Sequence, residues 1–129
     1  GTLRTEQLPR CLKRLCIDEN ILSGTFDADT LPKTLEVLDI KYNEFDGSLS
    51  LTKLPPQLLL LDASNNDFSG ILDLTQLPIF LKDLFLNNNM FKGELNLEGL
   101  PDCVQFVRLH HNQLYQHDLK VKSSLANLR

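Results

Sequence analysis

The chain has 129 residues, of which 42% are hydrophobic and 23% charged, and its net charge at pH 7 is −4. This composition is typical of a globular chain of single-domain size and not of a disordered segment. The small negative charge disfavours nucleic acid as a partner, and the longest apolar run, Leu58 to Leu61, is far too short for membrane insertion.

The cysteines do not form a recognisable framework. Cys11, Cys16 and Cys103 are odd in number and lack the C-x-x-C spacing of a zinc site. No asparagine begins an Asn-x-Ser/Thr glycosylation signal, and no charged-then-apolar leader opens the chain. These features favour a reducing compartment, and we predict a cytoplasmic location. The alternative is the cell surface, if a leader or anchor is missing from this chain.

Leu-Pro pairs divide the chain at a fixed interval. Each pair begins 23 residues after the previous one, at Leu8, Leu31, Leu54, Leu77 and Leu100. A fixed period of this size indicates a solenoid of stacked repeats. We predict one domain over residues 1–129, with repeats at 8–30, 31–53, 54–76, 77–99 and 100–122. Residues 1–7 are predicted to be the tail of a partial repeat, and residues 123–129 a C-terminal tail or partial repeat.

Every unit carries the pattern Leu-x-x-Leu-x-Leu-x-x-Asn-x-Leu/Phe, with other apolar residues in place of leucine at Ile17, Ile40, Ala63, Val104 and Val107. Apolar residues two apart on an extended strand point to the same side, so these columns predict buried positions. Stacking of successive strands predicts a parallel sheet, because each unit can cover its apolar face only with its neighbours. The asparagine column is Asn20, Asn43, Asn66, Asn89 and Asn112. We predict that it forms a ladder that satisfies backbone groups at the turn after each strand.

A glycine column follows, at Gly24, Gly47, Gly70 and Gly93, and it predicts positive φ or a close backbone approach. The alternation after it, as in Leu49-Ser50-Leu51 and Leu72-Asp73-Leu74, predicts a second, smaller parallel sheet. The Leu-Pro pair is expected to start a single 3₁₀ turn back to the next strand. In the fifth unit Gln116 replaces the glycine, and Leu119 and Val121 fall one position late, so we expect less regular coiling there.

These five in-phase copies resemble the repeats of leucine-rich repeat proteins, over nearly the whole chain. The longer form LPxxLxxLxLxxNxFxGxLxL is similar to repeats of trypanosomatid protozoan leucine-rich proteins and, more loosely, to plant-type repeats. The resemblance implies an α/β-class leucine-rich repeat solenoid, a right-handed superhelix. A parallel β-sheet would form its concave face, with short second β or 3₁₀ segments on the convex side and little α-helix.

Residues between the buried leucines are expected to face outwards on the concave sheet, where recognition residues would lie. From the first strand to the last, they are Arg14, Cys16 and Asp18; Val37, Asp39 and Lys41; Leu60, Asp62 and Ser64; Asp83, Phe85 and Asn87; and Phe106, Arg108 and His110. Four of them, Val37, Leu60, Phe85 and Phe106, are apolar on a face that should be wet, which favours a contact site over scattered surface hydrophobics.

The same face offers little for catalysis or metal binding. Asp39 and Asp62 share a column, but two carboxylates are a poor cation cage, and Lys41 can neutralise them. His110 and His111 are neighbours on a strand, so they are expected to point to opposite sides. Cys16 has no predicted base within reach. We therefore predict no enzyme activity, no metal and no cofactor.

The sequence thus predicts a non-catalytic protein–protein recognition module that binds its partner on the concave face. Phe85 and Phe106 are the predicted anchors, and Asp39, Asp62, Arg108 and His110 set charge preference. The alternative is a structural or antigen segment of a longer leucine-rich repeat array that self-associates end to end. Either function would use a protein partner and no nucleic acid.

Overall fold

The structure, a computed structural model, describes residues 1–115 as two five-stranded parallel sheets joined by turns. Strands are numbered in chain order, and odd and even strands belong to different sheets. The first sheet contains β1 (Arg14–Cys16), β3 (Val37–Asp39), β5 (Leu60–Asp62), β7 (Asp83–Phe85) and β9 (Phe106–Arg108). The second contains β2 (Ser23–Thr25), β4 (Glu44–Gly47), β6 (Asp67–Ile71), β8 (Met90–Glu94) and β10 (Gln113–Tyr115).

Short 3₁₀ helices at Thr5–Gln7 and Ala28–Thr30 are the only helices of the described residues, as expected for a chain with little α-helix. None of these residues forms a helix that is long and apolar enough to cross a membrane.

The first sheet has the predicted location and register. Leu15, Leu38, Leu61, Leu84 and Val107 are consecutive backbone partners at the centres of the five strands. All five are buried, whereas the residue on either side of each is at least partly exposed. The predicted alternation of the first sheet is therefore confirmed, and each turn covers the apolar face of the one before it.

The predicted position of the second sheet is wrong. Its strands run through the glycine column, not through the Leu-x-Leu alternation that follows. The reason is the polar residue between the two leucines: the Asp73 carboxylate accepts the backbone N–H of Thr75, and the Asn96 side-chain oxygen accepts that of Glu98, both at 3.0 Å. Such local bonds form a turn instead of a strand. The flanking leucines, such as Leu72 and Leu74, are still buried in the core.

The glycines do have the predicted positive φ, which ranges from 75° at Gly47 to 96° at Gly93. There is also little room for a side chain at these glycines. A Cβ at Gly47 would lie 3.2 Å from Thr25 Cγ2, and one at Gly93 would lie 3.4 Å from Ile71 Cγ1. The residue after each glycine therefore packs over the glycine of the following turn, which glycine permits at no steric cost.

The turn after each Leu-Pro pair is a single hydrogen-bonded turn, in which the proline carbonyl accepts the N–H three residues on. The Pro55–Leu58 bond of 3.2 Å is representative. The expected 3₁₀ geometry is found elsewhere: Thr5–Gln7 and Ala28–Thr30 both end immediately before a Leu-Pro pair. The proline fits because its position donates no N–H to this turn.

Phenylalanine fills the core behind the asparagines. Phe45, Phe68 and Phe91 are fully buried, and their rings are stacked with centroids 6.1 Å apart at both contacts. The first repeat has Leu22 at the equivalent position, and there the edge of Phe26 meets Phe45 at 5.3 Å. An aromatic column thus runs along the stack, at separations typical of favourable aromatic pairs.

The asparagine column forms the predicted ladder. Asn66 Nδ2 lies 3.0 Å from the carbonyl of Ile40 in the preceding turn and 3.2 Å from the carbonyls of Ala63 and Ser64, while its Oδ1 accepts the N–H of Phe45 at 3.1 Å. The same pattern holds for Asn43, Asn89 and Asn112. Each of these amides joins its own turn to the previous one.

The N-terminal residues pack on the first full repeat. The carbonyl of Gly1 accepts the N–H of Ser23 at 2.7 Å, and the buried Thr5 hydroxyl donates to the carbonyl of Asp27 at 2.8 Å. The predicted irregularity at Gln116, Leu119 and Val121 and the predicted tail 123–129 lie outside the described residues.

Candidate functional site

The outer face of the first sheet brings most of the predicted site residues together. Strand register makes two cross-strand columns: Arg14, Val37, Leu60, Asp83 and Phe106; and Cys16, Asp39, Asp62, Phe85 and Arg108. Backbone hydrogen bonds continue the stacking past the strand ends, so Asp18, Lys41, Ser64, Asn87 and His110 form a third column. We call these three columns the outer face. Since parallel strands lie about 4.8 Å apart, neighbouring members of a column are close enough to contact one partner together.

An apolar patch lies on this face. Val37 and Leu60 are direct partners on neighbouring strands, and both are partly buried, as is Phe85. Phe106 is 40% exposed. Arg108 lies over the Phe85 ring, with its guanidinium carbon 4.9 Å from the ring centroid. This cation–π contact holds an arginine and a phenylalanine in fixed positions on the surface.

The predicted neutralisation of the carboxylates by Lys41 is confirmed for Asp39. Lys41 Nζ donates to Asp39 Oδ2 at 2.6 Å, and the Lys41 backbone N–H donates to Asp39 Oδ1 at 3.2 Å. The hydrogen bond to Asp39 raises the pKa of Lys41, with smaller contributions from the charges of Asp39, Asp62 and Asp18, while partial burial acts in the opposite direction. Lys41 thus stays charged and is engaged within the protein.

Ser64 is a correction to the predicted contact set. It is only 5% exposed, and its hydroxyl donates to Asp62 Oδ1 at 2.6 Å while its backbone N–H donates to the same atom at 3.0 Å. A small side chain that bends back onto the preceding carboxylate leaves little surface for a partner. Its role on this face is to satisfy Asp62.

The histidines do not point apart as predicted. The rings of His110 and His111 meet edge to face, with centroids 5.1 Å apart. The reason is that His111 has a φ of 58°, which ends the extended alternation after His110. Both rings are exposed. Within residues 1–115, no cluster of three or more His, Cys, Asp or Glu side chains could hold a metal ion.

This left-handed position recurs and was missed in the sequence. Glu19, Tyr42, Asn65, Asn88 and His111, the residues immediately before the five ladder asparagines, all have φ between 55° and 59°. Asparagine and histidine are enriched in this region, but Glu19 and Tyr42 belong to types that adopt it rarely. The residue types at these five positions therefore do not predict the left-handed conformation consistently.

The three cysteines and one surface groove are further features of the described residues. Cys11, Cys16 and Cys103 are free and exposed. A groove of about 300 Å³ is lined by Asp29, Leu31, Lys33, Lys53, Leu54, Pro55 and Pro56, none of which belongs to the outer face. The outer face is thus an open surface, suited to a macromolecular contact more than to enclosing a small substrate.

Sequence reasoning also missed how the carboxylates of Asp39, Asp62 and Asp83, in the first two columns of the outer face, differ. Asp39 and Asp62 are satisfied by the residue two positions on, but Asp83 is followed at that spacing by Phe85, which has no polar side-chain atom. Within the described chain the Asp83 side chain has no hydrogen-bond or ion-pair partner. The difference is visible in the sequence as the residue type two positions after each aspartate: Asp-x-Lys, Asp-x-Ser and Asp-x-Phe.

No protein-family model and no curated protein matches the chain. Several solved structures do match the chain. The BIR2 ectodomain from Arabidopsis thaliana aligns with a TM-score of 0.65 at 22% identity, covering 84% of this chain and 59% of that one. At this identity the likeness shows the fold alone.

Two further structures have a slightly higher identity. The plant peptide hormone receptor RGFR1, in complex with RGF2, aligns with a TM-score of 0.62 and 26% identity, over 80% of this chain and 21% of that one. The leucine-rich repeat ectodomain of the receptor kinase GASSHO1/SCHENGEN3 from Arabidopsis thaliana, in complex with CASPARIAN STRIP INTEGRITY FACTOR 2, aligns with a TM-score of 0.60 and 27% identity, over 81% of this chain and 16% of that one. The chain thus spans less than two thirds of each of these ectodomains, and the predicted solenoid fold is confirmed.

Proposed function

We propose that this chain, a leucine-rich repeat solenoid by its fold, is a non-catalytic recognition module that binds another protein on the outer face of its first sheet. The observation that carries this proposal is the apolar patch of Val37, Leu60, Phe85 and Phe106. Val37, Leu60 and Phe85 are partly exposed and Phe106 is 40% exposed, although all four lie on strands of the first sheet. Contiguous exposed apolar surface of this kind marks contact sites. By prediction this face is the concave one.

The solved neighbours support a peptide or protein as the ligand class. One is described as a peptide hormone receptor in complex with RGF2, and another as a receptor ectodomain in complex with CASPARIAN STRIP INTEGRITY FACTOR 2. These two ligands are described for those two receptors and are not assigned to this chain. For this chain they favour a polypeptide over a small molecule, in agreement with the open form of the outer face.

The patch has the composition of an interface hot spot. Phe85 and Phe106 supply apolar area, and Arg108 is already placed by its contact with Phe85, so little of its freedom remains to be lost on binding. Asp39, Asp62 and His110 surround this centre and would set charge preference more than affinity.

The test is a binding selection with paired variants. Natural protein fragments displayed as a library are selected on the wild-type chain, and dissociation constants are then measured for Phe85→Ala and Phe106→Ala. We expect each change to weaken binding by about 10- to 100-fold, since truncated hot spots cost about 1.4 to 2.8 kcal/mol or more.

Phe80→Ala is the matched control. Phe80 is also an exposed phenylalanine, at 48%, but it lies in the turn after Pro78 and outside the outer face. Its replacement should leave affinity unchanged. Fragments that tolerate both outer-face variants but require Phe80 would refute the assignment of the binding surface.

The alternative proposal is a structural segment that stacks end to end. It rests on the ladder itself: Asn43, Asn66, Asn89 and Asn112 each donate to a carbonyl of the preceding turn. A turn of a second copy could be joined to the stack by the same bonds. Sedimentation at increasing concentration tests this reading, and a strict monomer throughout would count against it.

The cellular location of this protein and its similarity to trypanosomatid repeats are also proposals. The ectodomain neighbours favour the cell surface, whereas three free thiols favour the predicted cytoplasmic location. The closer similarity to trypanosomatid repeats stays a prediction.

A further inference from the structure

Four aspartates lie on the outer face, and they differ in what satisfies them. Asp39 accepts two bonds from Lys41, and Asp62 accepts two from Ser64. The Asp18 and Asp83 side chains accept none from any described residue, although both residues are partly buried. The Asp83 oxygens keep access to solvent, so they are free to accept hydrogen bonds from a partner.

The surroundings of Asp83 are apolar. Its partners across the neighbouring strands are Leu60 and Phe106, and Phe85 follows two positions on along its own strand. Arg108, on the neighbouring strand, lies over the Phe85 ring and makes no ion pair with Asp83. The result is a negative charge within the apolar patch, beside two phenylalanine rings.

We propose that Asp83, flanked by Leu60, Phe85 and Phe106, receives a basic side chain of the protein partner, arginine in preference to lysine. This inference rests on the proposed function and specifies the partner's chemistry. A carboxylate and aromatic faces both attract a cation, and the guanidinium over Phe85 shows that these rings accept one. Arginine fits best because its planar group can stack on a ring while donating two hydrogen bonds to the carboxylate.

The experiment uses the fragments selected on the wild-type chain that lose binding with Phe85→Ala. Their dissociation constants are measured with Asp83→Asn and with Asp67→Asn. The second variant removes the same charge from an exposed residue of β6 in the second sheet, outside the outer face. We expect Asp83→Asn to weaken binding by about tenfold or more, as for a charge-assisted bond, and Asp67→Asn to weaken it by less than about threefold.

A double-mutant cycle then identifies the partner group. Each arginine or lysine of a fragment is changed to glutamine and measured against both protein variants. We expect one basic residue whose loss has little further effect once Asp83 is asparagine. Thermal unfolding of free Asp83→Asn should match or exceed that of the wild type, because no internal bond is removed.

Three results would overturn the inference. Equal losses with the two asparagine variants would show a general charge effect, and a lower melting temperature for Asp83→Asn would show an internal structural role. Fragments that need Phe85 but not Asp83, or that contain no basic residue, would remove this inference and leave the proposed function standing. If no fragment depends on Phe85 or Phe106, both the inference about Asp83 and the proposed function are wrong.

Discussion

Asn66 shows how one side chain can tie two turns of this protein together. Its amide reaches three carbonyls in two turns and accepts a backbone N–H from the preceding one, at distances between 3.0 and 3.2 Å. It is only 7% exposed, so water cannot replace these bonds. Backbone groups left unpaired in such a position cost far more than the average hydrogen bond contributes.

We therefore predict that Asn66→Ala lowers the free energy of unfolding by about 1–3 kcal/mol. Asn66→Asp should cost more, since its carboxylate would face the three carbonyls that now accept from the amide. Asn20→Ala is the control, because Asn20 is exposed and bonds only within its own turn. Urea denaturation measures all three variants, and an equal cost at positions 20 and 66 would contradict the role of the ladder.

At the scale of elements, the phenylalanine column couples the turns in the core. Phe68 is fully buried between Phe45 and Phe91, and both ring contacts are stacked. Removing a ring from this position would leave a cavity that rigid neighbouring turns cannot close, because the strands on either side fix their spacing.

Phe68→Ala is accordingly expected to destabilise the fold by about 3–5 kcal/mol, as for other buried phenylalanines. Phe80→Ala, at a 48% exposed position, should change stability by less than about 0.5 kcal/mol. Calorimetric melting of the two variants provides the comparison. Were Phe80→Ala as costly as Phe68→Ala, the assignment of these two residues to core and surface would be wrong.

The elements also show what a repeat pattern can predict. Period and spacing placed the first sheet, its register and the ladder, because each depends on one residue type that recurs in every turn. The second sheet was misplaced because Leu72 and Leu74 are buried in a turn as they would be in a strand, and burial alone does not distinguish the two. The Asp73 bond that decides between them is local and varies in residue type from turn to turn.

The residues of the candidate site were also predictable from the sequence only in part. Alternation on a strand identifies which residues face outwards, so Phe85, Phe106 and Arg108 were found. It does not reveal how outward side chains bond to one another. The spacings Asp-x-Ser and Asp-x-Phe are visible in the sequence, but only the structure shows that the Ser64 hydroxyl is buried against Asp62 and that Asp83 accepts no bond from a described residue.

At the scale of the whole molecule, repetition builds a rigid sheet whose outer face differs from strand to strand. One end of this face carries the Asp39–Lys41 pair, and the other carries Phe85, Arg108 and Phe106. The buried columns are nearly invariant across turns, while the outer columns vary widely in residue type along the sheet. Specific recognition can therefore reside on this face without disturbing the core.

Hydroxyl-radical footprinting of a complex with a selected fragment tests this account most directly, because it reports the accessibility of individual side chains. We predict that oxidation of Phe85 and Phe106 falls on binding, while that of Phe80 and Ile71, which are exposed elsewhere on the molecule, does not change. Protection of Phe80 and Ile71, with Phe85 and Phe106 still accessible, would contradict recognition through the first sheet.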